Sequence, residues 1–198
     1  MDRIFVTSDL HFGHNNIIRY AERPFKKTAD MDSYLIDEWN RRVGDSDIVY
    51  FLGDFAMGPR VDDGFVADKL RMLHGRIRVV LGNHDQPAKK WQMSGLKQVV
   101  EDHRLGDRIE ILEDIHEFAV GGQRFVGCHY PMSDWNGKFH GVAHLHGHCH
   151  SVLSKQKPRD LAKMRKQKIY DIGVDMYGGP VELSDDRRFL DDPQGWRV

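Results

Sequence analysis

Apolar and polar positions follow two different periods along the first half of the chain. Short apolar runs predict strands at Arg3–Ser8, Asp47–Leu52 and Ile77–Leu81, and the second run is continuous enough for a strand covered on both faces. Between these runs, apolar residues recur at near-helical spacing over Met31–Val43 and Val61–Leu73, and a glycine follows soon after each stretch. The resulting βαβαβ order predicts a parallel sheet with right-handed crossovers.

The second half of the chain has a pattern of short strands. Gly121-Gly122 stands between two of these runs and predicts a hairpin. The predicted strands are Arg108–Leu112, Glu117–Val120, Arg124–Cys128, Ala143–His148 and Ile169–Val174. We expect them to form a second sheet packed against the first, with helices outside.

Composition limits the classes of function. A chain of 198 residues with 40% hydrophobic and 30% charged residues predicts one globular domain, residues 1–198. The net charge of -1 excludes a broadly basic nucleic-acid coat, and the 2 cysteines exclude a disulfide framework or a four-cysteine zinc site. With 12 histidines, any metal is expected to be held by His, Asp and Asn. No signal segment or membrane span is visible, so a cytoplasmic location is expected.

Acidic and histidine side chains recur where the predicted strands end. The segments are Ser8–His14, Gly53-Asp54, Gly82–Asp85, Val126–His129 and His146–His150. Ligands of open α/β sheets bind outside the carboxyl ends of the strands, and glycine permits a sharp turn and a close approach there. In Asp-x-His and His-x-His, residues two apart in an extended chain point the same way and can reach one ion or two neighbouring ions. Together these segments predict a metal site.

These motifs resemble those of the calcineurin-like metallophosphoesterases. The family's motifs occur here in its order: SDLHFGH from Ser8, Gly53-Asp54, GNHD from Gly82, His129, and GHCH from Gly147. The flanking Arg23-Pro24-Phe25 and Gly173-Val174-Asp175 are similar to a small bacterial and phage-associated branch, which often has Asn where this chain has Asp171. The resemblance implies an α/β fold, a four-layer α/β/β/α sandwich of two mixed sheets flanked by helices.

The resemblance also implies two divalent metal ions and their ligands. One ion would be bound by Asp9, His11 and His150, the other by Asn83, His129 and His148, and Asp54 would bridge the two. Mixed nitrogen and oxygen donors suit Mn, Fe, Zn or Co without choosing among them.

The implied chemistry is metal-dependent hydrolysis of phosphomonoester or phosphodiester bonds, by in-line attack of a metal-bridging hydroxide. His84 would assist the leaving group, and Asp85 would orient its ring. His14 is predicted to contact the substrate phosphate. Trp135 and Asn136, between His129 and His148, are predicted to select the substrate. His144 and His146 alternate with His148 and His150, so we expect all four on one face of a strand, with His146 behind the ligands.

The segment Lys155–Lys168 holds seven Lys or Arg and one Asp, a local charge of +6. Two interpretations remain open: a clamp for a nucleotide or nucleic acid, and a solvated loop or helix face. The alternatives to an enzyme are a non-catalytic metal-dependent scaffold and a nucleic-acid-binding module that uses this segment. The resemblance implies a phosphoester substrate, with a nucleotide or nucleic acid among the candidates. No membrane association is expected, and the sequence does not point to a protein partner.

Overall fold

The computed structural model describes residues 2–88, 93–152, 155–184 and 188–197. Its helices and strands, in chain order, are β1 (Ile4–Thr7), α1 (Asn15–Tyr20), α2 (Thr28–Arg42), β2 (Ile48–Phe51), α3 (Asp63–Met72), β3 (Arg76–Val79), α4 (Leu96–Asp102), β4 (Ile109–Ile111), β5 (Ile115–Val120), β6 (Gln123–Cys128), a 3₁₀ helix (Lys138–His140), β7 (Ala143–His146), α5 (Pro158–Gln167), β8 (Ile169–Asp171), α6 (Val174–Tyr177), β9 (Val181–Leu183) and α7 (Arg188–Asp191).

The first sheet has the strand order β4-β3-β2-β1-β9. Strands β1 to β4 are parallel, with Val6 opposite Tyr50 and Tyr50 opposite Arg78, and β9 is antiparallel to β1 at the edge. The predicted βαβαβ order of the first half is therefore confirmed. Strand β9 was not predicted.

The second sheet has the order β5-β6-β7-β8 and combines antiparallel and parallel pairs. Val120 pairs with Gln123 across Gly121-Gly122, which confirms the predicted hairpin. Two expectations need correction. The run Arg108–Leu112 forms β4, which pairs with β3 of the first sheet. The run Ile169–Val174 is extended only to Asp171, because Val174 begins α6.

Alternating side chains of the first sheet enter two different cores. Phe5 of β1 joins the core beneath α2, α3 and α4, whereas the next residue, Val6, joins the core between the sheets. Phe125 and Leu145 of the second sheet complete that inter-sheet core. The fold is thus an α/β sandwich of two mixed sheets flanked by helices, as predicted. In the described part of the chain, no helix combines the length and apolar character needed to cross a membrane.

Candidate metal centre

The loops that follow five strands meet at one end of the sandwich. The loop after β1 is tied to the loop after β2, because the backbone N–H groups of Asp9 and His11 donate to the carbonyls of Gly53 (2.9 Å) and Asp54 (3.1 Å). In the second sheet, the N–H of Gly147 donates to the carbonyl of His129 at 3.0 Å. These bonds bring side chains that are distant in sequence to a common centre.

A first group of four side chains converges there. It comprises Asp9, His11, Asp54 and His150, with one ligand atom from each within 4.8 Å of all the others. The Nε2 atom of His11 lies 3.1 Å from Nε2 of His150 and 3.4 Å from Oδ2 of Asp54. The Nε2 atom of His150 lies 3.8 Å from Oδ1 of Asp9.

A second group lies on the other side of Asp54 and comprises Asp54, His129 and His148. The Nε2 atom of His129 is 3.5 Å from Oδ2 of Asp54. The amide oxygen of Asn83 joins this group, since it lies 3.0 Å from Nε2 of His129 and 3.0 Å from Nδ1 of His148. Asp54 therefore belongs to both groups.

Hydrogen bonds on the outer side orient two of these imidazoles. The Nδ1 atom of His129 lies 2.8 Å from the carbonyl oxygen of Leu52, to which it donates. The Nδ1 atom of His150 lies 2.9 Å from Oδ2 of Asp175. Such partners fix the tautomer, so that the Nε2 lone pair of each ring faces the centre. This arrangement is typical of metal-ligating histidine.

The centre concentrates buried carboxyl groups. Asp9 and Asp54 are almost fully buried, and burial raises the pKa of the Asp9 carboxyl to about 8, against the opposing effect of nearby His150. A buried carboxylate is costly unless a cation or hydrogen-bond donors compensate it. Carboxylates, an amide oxygen and imidazoles are donors that divalent transition metals accept. The donor set therefore fits metal binding.

The backbone of the centre is strained in a consistent way. Five predicted ligands adopt the left-handed region with φ between 47° and 68°: Asp9, His11, Asp54, His148 and His150. Each non-glycine residue in this region costs roughly 1–3 kcal/mol, and such strain clusters at functional sites. Consequently the Asp-x-His and His-x-His pairs are not extended, and His148 and His150 enter different groups. The sequence contained no signal for this backbone conformation.

Glycines beside the ligands allow the close approach that the sequence predicted. A Cβ atom on Gly82 would clash with Oδ1 of Asp54, and one on Gly147 would clash with the carboxylate of Asp9. The two loops can therefore approach these carboxylates only because these residues lack side chains.

A buried ion pair supports the first group from behind. The guanidinium of Arg23 binds the carboxylate of Asp175 (Nε to Oδ1, 2.9 Å) and donates to the carbonyls of Asp9 at 2.7 Å and Leu10 at 2.8 Å. Asp175 in turn bonds to His150. Sequence reasoning assigned no role to Arg23 or Asp175, although both lie in the flanking segments that resemble the phage-associated branch.

His84 lies at the rim of the centre without joining either ligand group. Its side chain is 33% exposed, and its Nε2 atom is 4.0 Å from Oδ2 of Asp54. Its backbone N–H donates to Oδ1 of Asp54 at 2.8 Å, and its ring meets the ring of His11 edge-on at 5.3 Å. The ring can therefore approach a group bound at the centre.

The predicted role of Asp85 needs correction. Its buried carboxylate accepts hydrogen bonds from the backbone N–H groups of Asp54, Phe55 and Gly82, each at 2.8 Å. These bonds hold the loop that carries Asp54. The carboxylate is engaged there, and in the described residues it does not bond to the ring of His84. Asp85 consequently positions a ligand rather than the rim histidine.

His14 also lies at the rim. Its Nδ1 atom is 3.3 Å from Nδ1 of His11, and its ring centroid is 6.4 Å from that of His84. Partial burial, and then electrostatic interaction with His84, Arg23 and His150, lower the pKa of His14 to about 4. A neutral imidazole is thus placed beside the first group.

Trp135 and Asn136, predicted to contact the substrate, lie elsewhere. Trp135 is buried with Val126 and Val142 on the outer face of the second sheet, and its indole N–H donates to the carbonyl of Val142 at 3.1 Å. The amide of Asn136 donates to Glu117 of β5 at 2.9 Å. Trp135 covers the second sheet, and Asn136 bonds at the surface of its edge strand. The prediction failed because position between two ligands in sequence does not imply proximity in space.

Tyr130 is a neighbour of the centre that sequence reasoning missed. It follows His129 directly, and its ring lies edge-on to the rings of His129 (5.0 Å) and His148 (4.7 Å). The side chain is nevertheless 47% exposed. An aromatic residue adjacent to a predicted ligand was the available signal.

A cavity of about 1020 Å³ lies away from the centre and is lined by none of the candidate ligands. Its lining includes Arg3 and Arg42, but both are paired, Arg3 with Asp47 at 2.8 Å and Arg42 with Glu38.

Comparison with known proteins agrees with this geometry. The model of the calcineurin-like phosphoesterase family matches residues 2–177. An uncharacterized protein of Methanocaldococcus jannaschii is 33% identical over 76% of this chain and 71% of its own length. The gene 66 protein of Mycobacterium phage D29 is 27% identical over 97% of this chain and 98% of its own.

Among solved structures, a protein of unknown function from Aquifex aeolicus has a similar fold, with a TM-score of 0.61 at 20% identity over 88% of this chain and 91% of that one. Because the family model matches residues 2–177, the chain belongs to the calcineurin-like phosphoesterase family. The membership predicted from the motifs is confirmed.

Proposed function

We propose that this protein is a dinuclear metal-dependent phosphoesterase that hydrolyses phosphomonoester or phosphodiester bonds. The observation that carries the proposal is the shared position of Asp54, which belongs to both groups of candidate ligands. A single carboxylate between two donor groups would suit a pair of cations, since its negative charge offsets their repulsion.

In this proposal Asp9, His11 and His150 would hold one ion, and Asn83, His129 and His148 would hold the other. Bound ions supply Lewis acidity and a water whose pKa is lowered toward ~7, which makes hydroxide available for in-line attack at phosphorus. The carbonyl of Leu52 and the carboxylate of Asp175 keep two of the imidazoles in the tautomer that can ligate.

His84 is the proposed proton donor for the leaving group. In the hydrolysis, the oxygen of water bonds to phosphorus, the bond to the leaving oxygen breaks, and that oxygen takes a proton. The ring of His84 is close to the centre but outside both ligand groups, as a general acid must be. His14 lies beside it and is the proposed contact for a substrate oxygen.

The test is metal content measured together with activity. Asp54→Ala should lose most of the bound metal and nearly all hydrolysis of bis-p-nitrophenyl phosphate and p-nitrophenyl phosphate, assayed with Mn, Zn, Fe, Co and Mg. Asp47→Ala is the matched control, because Asp47 is also buried but bonds to Arg3 and Gly44 away from the centre. Full occupancy by two ions in Asp54→Ala would refute the bridging assignment.

A further inference from the structure

Helix α5 presents one apolar and one basic face. Leu161 and Met164 pack against the inter-sheet core. Arg159, Lys163 and Lys166 are spaced four and three residues apart, so they lie on the opposite face, and all three are exposed. At 1.5 Å per residue, this row of cations extends along about 10 Å of the helix.

The cations of this row are not used in packing. Among the described residues, Lys163 and Lys166 form no ion pair, and Arg159 approaches only the adjacent Asp160, at 3.7 Å, while remaining 78% exposed. The segment Lys155–Lys168 carries +6 in a chain whose net charge is -1, so the rest of the chain carries -7. Positive charge is therefore concentrated on this part of the surface.

The basic segment begins beside the metal centre. His150 belongs to the first ligand group, and the next residue, Ser151, donates its backbone N–H to Asp171 at 3.0 Å. Four residues further on, the ammonium of Lys155 pairs with Glu22 at 2.8 Å, just beyond α1. Glu22 directly precedes Arg23, which donates to the carbonyl of Asp9, so the start of the segment lies near the first group.

Tyr130 marks the opposite flank of the centre. Its ring lies against His129 and His148 of the second group, and nearly half of the side chain is exposed. Its hydroxyl is 3.5 Å from Oδ1 of Asn83. An exposed aromatic ring beside a phosphate-binding centre can stack an unpaired base.

We infer that the substrate of the proposed phosphoesterase is a single-stranded oligonucleotide, with phosphates along α5, the scissile phosphodiester at the metal centre and a base on Tyr130. This inference rests on the proposed function. A single strand is favoured over a duplex because only an unpaired, unstacked base can pack on a side chain. It is favoured over an anionic membrane because the apolar face of α5 is already packed against the protein.

Binding of a fluorescently labelled single-stranded oligonucleotide, followed by anisotropy over a salt series, tests the basic face. Replacement of Arg159, Lys163 and Lys166 by Gln should raise Kd about tenfold or more and flatten the log K against log salt slope by about 2, at about 0.7 per lost contact. The matched control replaces Arg71, Arg76 and Arg104 by Gln. It removes the same charge near the end of the first sheet where β3 and β4 begin, whereas the centre lies where the strands end. Its Kd should stay unchanged.

Two replacements test the aromatic platform. Tyr130→Phe keeps the ring and should keep oligonucleotide affinity, whereas Tyr130→Leu should weaken it about 5- to 100-fold. Metal content should be the same in both variants. Hydrolysis of bis-p-nitrophenyl phosphate should change little in the α5 triple variant, because remote contacts act on binding of the long substrate alone.

The results separate this inference from the proposed function. If the small diester is hydrolysed but the α5 triple variant binds the oligonucleotide as the control does, the substrate assignment is wrong and the phosphoesterase stands. Preference for duplex of equal length, or binding to phosphatidylserine vesicles instead of oligonucleotide, also overturns it. If no ester is hydrolysed yet the α5 and Tyr130 variants lose oligonucleotide affinity as expected, the phosphoesterase fails and nucleic-acid binding stands.

Discussion

Two pairs of histidines in one short stretch have opposite environments. His144 and His146 lie on β7, buried, and the ring of His144 lies 5.3 Å from that of Trp135 on the outer side of the second sheet. His148 and His150 follow the end of the strand and belong to the metal centre. The predicted common face for all four is wrong, because the strand ends at His146 and the later two residues have positive φ.

His144 and His150 differ in the partners of their Nε2 atoms. His144 uses both nitrogens on backbone: Nδ1 lies 3.1 Å from the carbonyl of Val126, and Nε2 accepts from the N–H of Met132 at 3.0 Å. His150 uses only Nδ1 on Asp175 and turns Nε2 toward other donor atoms. His144 and His150 are the same residue type in the same alternating series, and they differ in that only His150 keeps a ring nitrogen directed at the centre.

Removal of a ligand should have the largest effect. His150→Ala should lose about one equivalent of metal and lower kcat at least as much as loss of a general acid, by about 10⁴-fold, because one ligand group would be incomplete. Metal analysis of the purified variant and steady-state kinetics measure this. His144→Gln is the control at neutral pH and should keep full metal content. Equal metal loss in the two variants would show that His144 and His150 do not differ in their contribution to metal binding.

Much of this distinction was beyond sequence reasoning. The strand ends could be predicted, since apolar runs followed by Gly-Asp or Gly-Asn punctuate the chain, and parallel strands bring such ends together. The left-handed backbone at Asp54 and the burial of Trp135 could not be predicted, because both depend on contacts between loops that are far apart in sequence. Local pattern therefore located the centre, whereas the roles of Asp85 and Asp175 required the tertiary structure.

Replacement of His84, which lies at the centre but outside both ligand groups, should have the next largest effect. His84→Asn should keep both metals and the fold yet lower kcat by about 10²–10⁴-fold, the range typical of general acid–base help. The loss should be smaller for p-nitrophenyl esters than for alkyl esters, because a good leaving group needs less protonation. Equal losses for both kinds of ester would show that His84 positions the phosphate instead.

Loss of Asp175, which bonds to Nδ1 of His150, should weaken metal binding less than loss of His150 itself. Asp175→Asn should weaken metal binding by about 10- to 100-fold, as loss of an orienting carboxylate typically does. The weakening should be confined to one of two ions, since Asp175 bonds to His150 of the first group. Titration of the apo protein with metal measures it. Equal weakening of both sites would mean that the Arg23–Asp175 pair acts through general stability.

His144 should leave the metal centre unaffected and instead make stability depend on pH. Burial lowers the pKa of His144 to about 4, from 6.5 in the unfolded chain. Above pH 6.5 the His144 ring is neutral in the folded and the unfolded chain, and its full contribution to the free energy of unfolding is present. As the pH falls from 6.5 to 4, only the unfolded chain binds a proton at this ring, so the free energy of unfolding decreases. The shift corresponds to about 3 kcal/mol at most, at 1.36 kcal/mol per pKa unit.

In His144→Gln this proton linkage is absent, while loss of the fitted ring destabilises the protein at neutral pH. The wild-type advantage in free energy of unfolding should therefore be largest above pH 6.5 and shrink toward pH 4. Urea unfolding of the metal-free proteins at several pH values measures it, since removal of metal excludes proton competition at the centre. If the wild-type advantage in free energy of unfolding stays constant over this range, His144 has an ordinary pKa. The contrast with His150 would then not rest on the two backbone bonds of His144.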